Sequence, residues 1–169
     1  MSQVTPGWRI PIDGPVIKPG QLHASHDANR AGAAHVVQIG GEYLMYYWGS
    51  DAHGLHSILS ATSHFEAPNM WEAQGSVLIG AQQASGHNTL GPSFPFVLPL
   101  DERRWLLYFC GWGRKRADGR LPNTTGAAIS DDAGKTWRYF DGNPIMPLGR
   151  ACDQAGSGSV WVMRVGGHL

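Results

Sequence analysis

The sequence predicts an all-β fold made of repeated four-stranded units, and three observations predict it. First, no stretch of about 12 residues places apolar side chains at i, i+3, i+4 and i+7, the pattern of an amphipathic helix. Short runs rich in β-formers stand instead, broken by Gly, Pro, Asn and Asp. Second, one order of features recurs: a polar residue, a glycine-containing approach, an apolar run, a turn and a second apolar run. It begins at His26 (HDANRAGAAHVVQIGGEYLMYYWG) and again at His87 (HNTLGPSFPFVLPLDERRWLLYFCG). A third, shorter copy begins at Cys152 (CDQAGSGSVWVMRVGGHL). Third, two independent anchors share one period. Ile39, Leu100 and Val165 are spaced 61 and 65 residues apart, and Trp8, Trp71 and Trp137 are spaced 63 and 66 apart. Four strands in a period of about 60 residues is the pattern of a β-propeller blade.

The elements follow in chain order. Residues 8–17, opening on Trp8, are expected to form an outer-strand segment. A first blade is expected over 27–80, with strands at Ala34–Ile39, Tyr43–Trp48, Ser57–Thr62 and Trp71–Leu78. A second is expected over 88–149, with strands at Phe94–Leu100, Arg104–Cys110, Gly126–Ser130 and Trp137–Phe140. Residues 153–169 are expected to supply the first strand of a further blade, Ser159–Val165. A closed propeller needs at least four blades. The 169 residues therefore read as one incomplete propeller domain of roughly two and a half blades.

Composition narrows the partners. Thirteen Lys and Arg balance thirteen Asp and Glu, so there is no basic stripe for a nucleic acid. The run Arg114-Lys115-Arg116 reads as a solvated loop. No apolar run approaches the ~20 residues of a membrane span, and the N-terminus MSQVTPGWRIP lacks a charged-then-apolar layout, so a cytoplasmic location is expected. Cys110 and Cys152 form neither a disulfide framework nor a metal cluster, and Cys110 reads as a small buried hydrophobe. The histidines His23, His26, His53, His56 and His87 show no ligand spacing such as H-E-x-x-H. No metal or other cofactor is expected.

Blade geometry singles out one end for chemistry. Twelve residues before Ile39, Leu100 and Val165 stand Asp27, Asn88 and Asp153. In an up-and-down blade the start of strand one shares an end with the loop between strands two and three. Strand one is innermost, so these three polar residues are expected around the central axis. His26 and His87 directly precede the repeat position. Asp51, His53, Trp112 and Arg114, from the loops 50–55 and 112–125, could wall a funnel around it. Trp48 ends an apolar run and reads as core, whereas Trp112, in a Gly-flanked loop, reads equally as core or as a ligand-facing aromatic. At the opposite end, Ser130-Asp-Asp-Ala-Gly-Lys-Thr-Trp137 fits S-x-D-x-G-x-T-W, the Asp-box of propeller enzymes, and reads as a fold element.

The stretches PVIKPG, HDANRAGAAHVVQIGGEYLMYYWGSDAHGLHSILSATS, GAAISDDAGKTW, GNPIMPLG and CDQAGSGSV together resemble the five-bladed β-propeller glycosidases. That group comprises the arabinanases, levansucrases and invertases (glycoside hydrolase families 32, 43 and 68), with the related mannoside phosphorylases. The resemblance implies a carbohydrate substrate and acids at the axial ends of inner strands in the first three blades. By position Asp27 corresponds to the first-blade aspartate, Asn88 replaces the second-blade aspartate, and Asp153 stands where a glutamate acid would be. Glycoside cleavage needs two carboxyl groups across the sugar ring, which makes Asp27 and Asp153 the catalytic candidates. Asn88, His26, His53, His87, Asp51, Trp112 and Arg114 are candidates for binding substrate. Two alternatives stand beside this. The repeated Asp could be an Asx-turn residue in a non-catalytic carbohydrate-binding or interaction propeller, which Asn88 favours. A sialidase-type enzyme is suggested by the Asp-box and Trp8-Arg-Ile-Pro11, although the latter is followed by a fourth-strand pattern.

Overall fold

A computed structural model describes residues 14–82, 84, 86–149, 154 and 156–166. The described chain is all-β: two four-stranded antiparallel sheets, each a meander in chain order. The first sheet runs β1 (Arg30–Ile39), β2 (Glu42–Ser50), β3 (His56–His64) and β4 (Glu72–Ile79). The second runs β5 (Gly91–Pro99), β6 (Trp105–Trp112), β7 (Asn123–Ser130) and β8 (Arg138–Tyr139).

The inner strands begin earlier than their apolar runs suggest. Arg30, Ala31 and Gly32 pair with Ser50, Gly49 and Trp48, and Gly91, Pro92 and Ser93 pair with Trp112, Gly111 and Cys110. Both ladders then slip at a bulge, between Gly32 and His35 and between Ser93 and Phe96. Ala33 (φ 46°) and Phe94 (φ 51°) occupy equivalent places in these bulges. Small residues and Pro read as loop, but the ends of β2 and β6 offer them backbone partners, and an extra residue absorbs the misfit.

The outer strand of the second sheet is shorter than expected. Only Arg138 and Tyr139 join the ladder, against Ile129 and Ala128. Asn143 then substitutes for a strand: its Oδ1 accepts from Ala127 N at 2.8 Å and its Nδ2 donates to Ala127 O at 2.8 Å. The expected strand Ser159–Val165 is not formed among the described residues. Within it only Val165 takes part in a bridge. The segment is tied at its start, where Gly156 bridges Asn123 and Ser157 N donates to Asn123 O at 3.0 Å. Trp8 and residues 9–13 lie outside the described residues. Residues 14–17 are not strand, but Ile17 packs against the first sheet.

Apolar runs without alternation mark strands buried on both faces, and the first sheet shows why. Tyr46, Ile58 and Ile79 point into a seam against Val97, Trp105, Leu107, Phe109 and Ala128 of the second sheet. Their neighbours Met45, Tyr47, Leu59 and Ala61 form a second cluster on the other face, covered by Ile17, Leu22 and Trp71. Burying one such side chain stabilises the fold by about 1.5–3 kcal/mol. One polar bond also crosses the seam, from Val97 N to His35 Nδ1 at 3.1 Å. Burial holds the His35 pKa below its ordinary value, which keeps that lone pair available at neutral pH.

The Ser130–Trp137 segment folds as a self-bonded turn between β7 and β8. Ser130 Oγ accepts from Gly134 N at 2.9 Å and donates to Asp132 Oδ1 at 2.8 Å. Asp132 also accepts from Lys135 N, Thr136 N and Thr136 Oγ1. Trp137 Nε1 donates to Gly134 O at 3.0 Å. Gly134 has φ 81°, and a Cβ there would lie 2.3 Å from Tyr46 Oη, so only glycine lets the turn sit on the first sheet. The Thr136 hydroxyl, with the Thr136 amide and the Ser130 hydroxyl, holds the Asp132 carboxyl at about 2, well below the ordinary carboxylate value.

A depressed carboxyl stabilises the fold above its unfolded pKa, and that stability is lost as pH falls through the folded value. Asp132→Asn is therefore expected to lower the melting temperature by a few degrees at pH 7. It should also flatten the decline in stability between about pH 4 and pH 2. Thermal melts across that range check both, and a variant melting in parallel with the parent contradicts the role.

Candidate functional site

Asp27 and Asn88, two of the three polar residues singled out by the repeat, occupy equivalent places. Asp27 and Asn88 each immediately precede an inner strand by three residues, and both are fully buried. Asp27 packs against Gly49 of β2, where a Cβ would lie 2.7 Å from His26 O and 2.8 Å from Asp27 Cβ. Asn88 packs against Gly111 of β6, where a Cβ would lie 3.0 Å from His87 O and 3.4 Å from Asn88 Oδ1. The repeated glycine is thus the floor on which each polar residue sits.

The Asp27 carboxylate receives three donors from the protein. Gly20 N donates to Oδ1 at 3.1 Å, and His23 N and Tyr47 Oη donate to Oδ2 at 3.3 and 3.0 Å. Burial and the adjacent Asp27 charge push the Tyr47 hydroxyl far up, so it stays protonated and donating. The Asn88 side chain makes the corresponding bonds in the second sheet. Its Nδ2 donates to Gly80 O at 3.4 Å and Tyr139 Oη at 2.9 Å, joining the end of β4 to β8. Each residue ties the incoming connection to its own sheet. Asp153 lies outside the described residues.

The other candidates divide into two groups. His26 contributes its backbone carbonyl to the contact with Gly49, and His53 is exposed on the β2–β3 loop. Asp51 closes that loop, its Oδ1 accepting from His53 N at 2.8 Å and Leu55 N at 2.9 Å. Trp112, at the end of β6, donates from Nε1 to Ser93 Oγ at 2.6 Å. His87 and Arg114 stand together with Thr124 around a concavity at the β6–β7 loop. Among the described residues no three His, Cys, Asp or Glu side chains converge as they would around a metal ion.

Between the upper ends of the two sheets lies a cluster that sequence reasoning saw only in part. The His56 ring lies 4.8 Å from Trp48 and 6.4 Å, edge-on, from Trp112. Phe94 lies 6.3 Å from Trp48 and is 40% exposed. Burial, then the Arg30 charge, lower the His56 pKa against the opposing pull of Asp51, so its imidazole is neutral at pH 7. Phe94 keeps a left-handed backbone, an uncommon conformation for a bulky residue and one concentrated at functional sites. The cluster presents aromatic faces, a neutral imidazole, a guanidinium and a carboxylate within one region. Arg30 was missed because its place depends on pairing with Ser50, and Phe94 because it sits in the bulge between Ser93 and Phe96.

No family model and no curated protein matches the sequence. Solved structures share the fold. One, a glycoside hydrolase, superposes with a TM-score of 0.58 at 16% identity, over 78% of this chain and 46% of its own. A glycoside hydrolase candidate from Parabacteroides distasonis superposes with a TM-score of 0.58 at 19% identity, over 74% of this chain and 38% of its own. A third comes from work on the GH130 family of mannoside phosphorylases and its hydrolases for β-1,2 mannosidic linkages in Candida mannan. It superposes with a TM-score of 0.55 at 14% identity, over 68% of this chain and 32% of its own. The chain thus spans less than half the length of these structures, and what they share with it is the propeller fold of glycoside hydrolases.

Asp27→Ala leaves two N–H groups and one O–H without their acceptor, a loss expected to destabilise the chain by at least about 2 kcal/mol. Tyr47→Phe should cost less, and the double variant should cost less than the sum of the two. Denaturant titration of the four proteins reads the coupling; additive losses would show that the bond contributes nothing.

Proposed function

We propose that the chain belongs to a carbohydrate-processing propeller, a glycosidase, that holds its sugar on the cluster formed by Arg30, Trp48, Asp51, His56, Phe94 and Trp112. The observation that carries this reading is the partly exposed aromatic cluster at the inner-strand ends of a fold shared with glycoside hydrolases. Aromatic faces suit the C–H faces of a pyranose or furanose, while the Arg30, Asp51 and His56 groups suit its hydroxyls. Cleavage requires a second carboxyl group across the ring. Asp27 and Asp153 are the acids the repeat supplies for that role. Non-catalytic carbohydrate binding is the second reading, favoured by the burial of Asp27 under three donors.

Binding and reducing-sugar release, measured together on a panel of mannosides, arabinan and fructans, separate these readings. Release identifies a glycosidase, and retention without release identifies a binding module. Phe94→Ala is expected to weaken binding about two- to tenfold, the contribution of one aromatic contact. If Asp27 takes part in cleavage, Asp27→Asn lowers turnover per folded molecule. Unchanged turnover per folded molecule removes Asp27 from the reaction, and unchanged affinity in Phe94→Ala removes the cluster from the site.

A further inference from the structure

The second sheet carries a separate concavity of about 450 Å³, lined by His87, Thr89, Arg114, Arg116, Thr124 and Leu148 among others. We propose that it is an oxyanion subsite, taking either the carboxylate of an acidic sugar or a free phosphate. Its size lies within the range of small-ligand sites. Two guanidinium groups and two hydroxyls line it, and among the described residues no Asp or Glu does. Such groups match the planar or tetrahedral oxygens of an anion with charge-assisted hydrogen bonds.

The pocket is built and held. Gly113 N donates to Pro122 O at 2.9 Å, closing the base of the β6–β7 loop. A Cβ on Gly113 would lie 3.0 Å from Gly86 O, so the loop rests directly on the chain leading into β5. Arg116 N donates to Arg120 O at 2.8 Å and Gly119 N to Arg116 O at 3.0 Å, a tight turn that fixes where the Arg116 side chain starts. Nearby Asp118 is engaged elsewhere, pairing with Arg120 at 3.8 Å, and among the described residues no ion pair reaches Arg114 or Arg116. His87 Nδ1 lies 3.1 Å from Thr124 Oγ1, and its ring stacks on Phe109. With the Thr124 hydroxyl donating to Nδ1, Nε2 of the neutral ring carries a further N–H. The run Arg114-Lys115-Arg116 is exposed, as a solvated loop is, and two of its three charges line one pocket.

This site shares no lining residue with the aromatic cluster, so either assignment can fail without the other. Isothermal titration calorimetry of the whole chain at low ionic strength, with sodium glucuronate and inorganic phosphate as probes and glucose as the neutral control, tests it. The expected result is saturable binding of at least one anion, weakened about tenfold by Arg114→Ala or Arg116→Ala and unchanged by Arg138→Ala at the other end of the sheet. Arg114→Lys should retain part of the affinity, and near-UV circular dichroism verifies that each variant is folded. Binding of glucuronate with this arginine dependence identifies the source as a sugar carboxylate, and binding of phosphate alone identifies it as free phosphate. Absence of saturable binding for both anions, or affinity indifferent to both arginines, overturns the proposal.

Discussion

The seam between the two sheets is the constraint on which everything else depends. Neither sheet could be stable alone with Tyr46, Ile58, Ile79, Val97, Leu107 and Phe109 in water, since an isolated single-layer sheet leaves its apolar faces uncovered. Packing them together fixes the distance between sheets, and that distance dictates local chemistry around the seam. Gly134 is required because Tyr46 and Trp105 press against the turn after β7. Gly126 is required because the Phe109 ring lies across β7, with Phe109 Cζ 2.4 Å from where a Cβ would stand. Such close contacts give the interior its crystal-like density, and they leave no freedom to shift one sheet against the other.

The seam also explains the location of the aromatic cluster. Toward their upper ends the facing strands run out of the apolar side chains that fill the gap. Trp48 and His56 continue the line of Tyr46 and Ile58, with one face packed and one edge open. The bulges in β1 and β5 rotate the chain at this level, so that Phe94 leaves the core and emerges at the surface. Structural packing therefore passes continuously into a binding surface, with the same residue types serving both.

The fold was legible in the sequence because strand periodicity and a blade-length repeat are local signals. Runs such as Tyr43–Trp48 and Ser57–Thr62 need no tertiary knowledge to be read as strands. What escaped was what depends on a partner. Arg30–Gly32 becomes strand because Trp48–Ser50 pairs with it, whereas residues 159–164 form no strand. Asn143 was invisible as a strand substitute, since nothing local announces that its amide will meet both backbone groups of Ala127. The site was legible to a smaller degree. Repetition identified Asp27 and Asn88 as equivalent, but repetition alone does not reveal whether a polar group faces ligand or scaffold.

Comparison of those two residues resolves part of that ambiguity. One is a carboxylate and the other an amide, yet each is buried three residues before an inner strand, against a glycine of the second strand, and bonded to a tyrosine hydroxyl. A position that accepts either an anion or a neutral amide, bonded to Tyr47 of the second strand in one sheet and to Tyr139 of the fourth strand in the other, is defined first by hydrogen bonding. The charge is the part that differs. At Asp27 it is matched by two backbone N–H groups supplied by the turn after Ile17, including Gly20 with its left-handed backbone (φ 76°). At Asn88 the amide instead donates outward, to Gly80 O and the Tyr139 hydroxyl. The direction of hydrogen bonding has reversed while the connection it secures has not. The shared property of the position is therefore to tie the chain entering an inner strand to that strand's own sheet, and any reaction at Asp27 would have to operate through a carboxylate already committed to that tie.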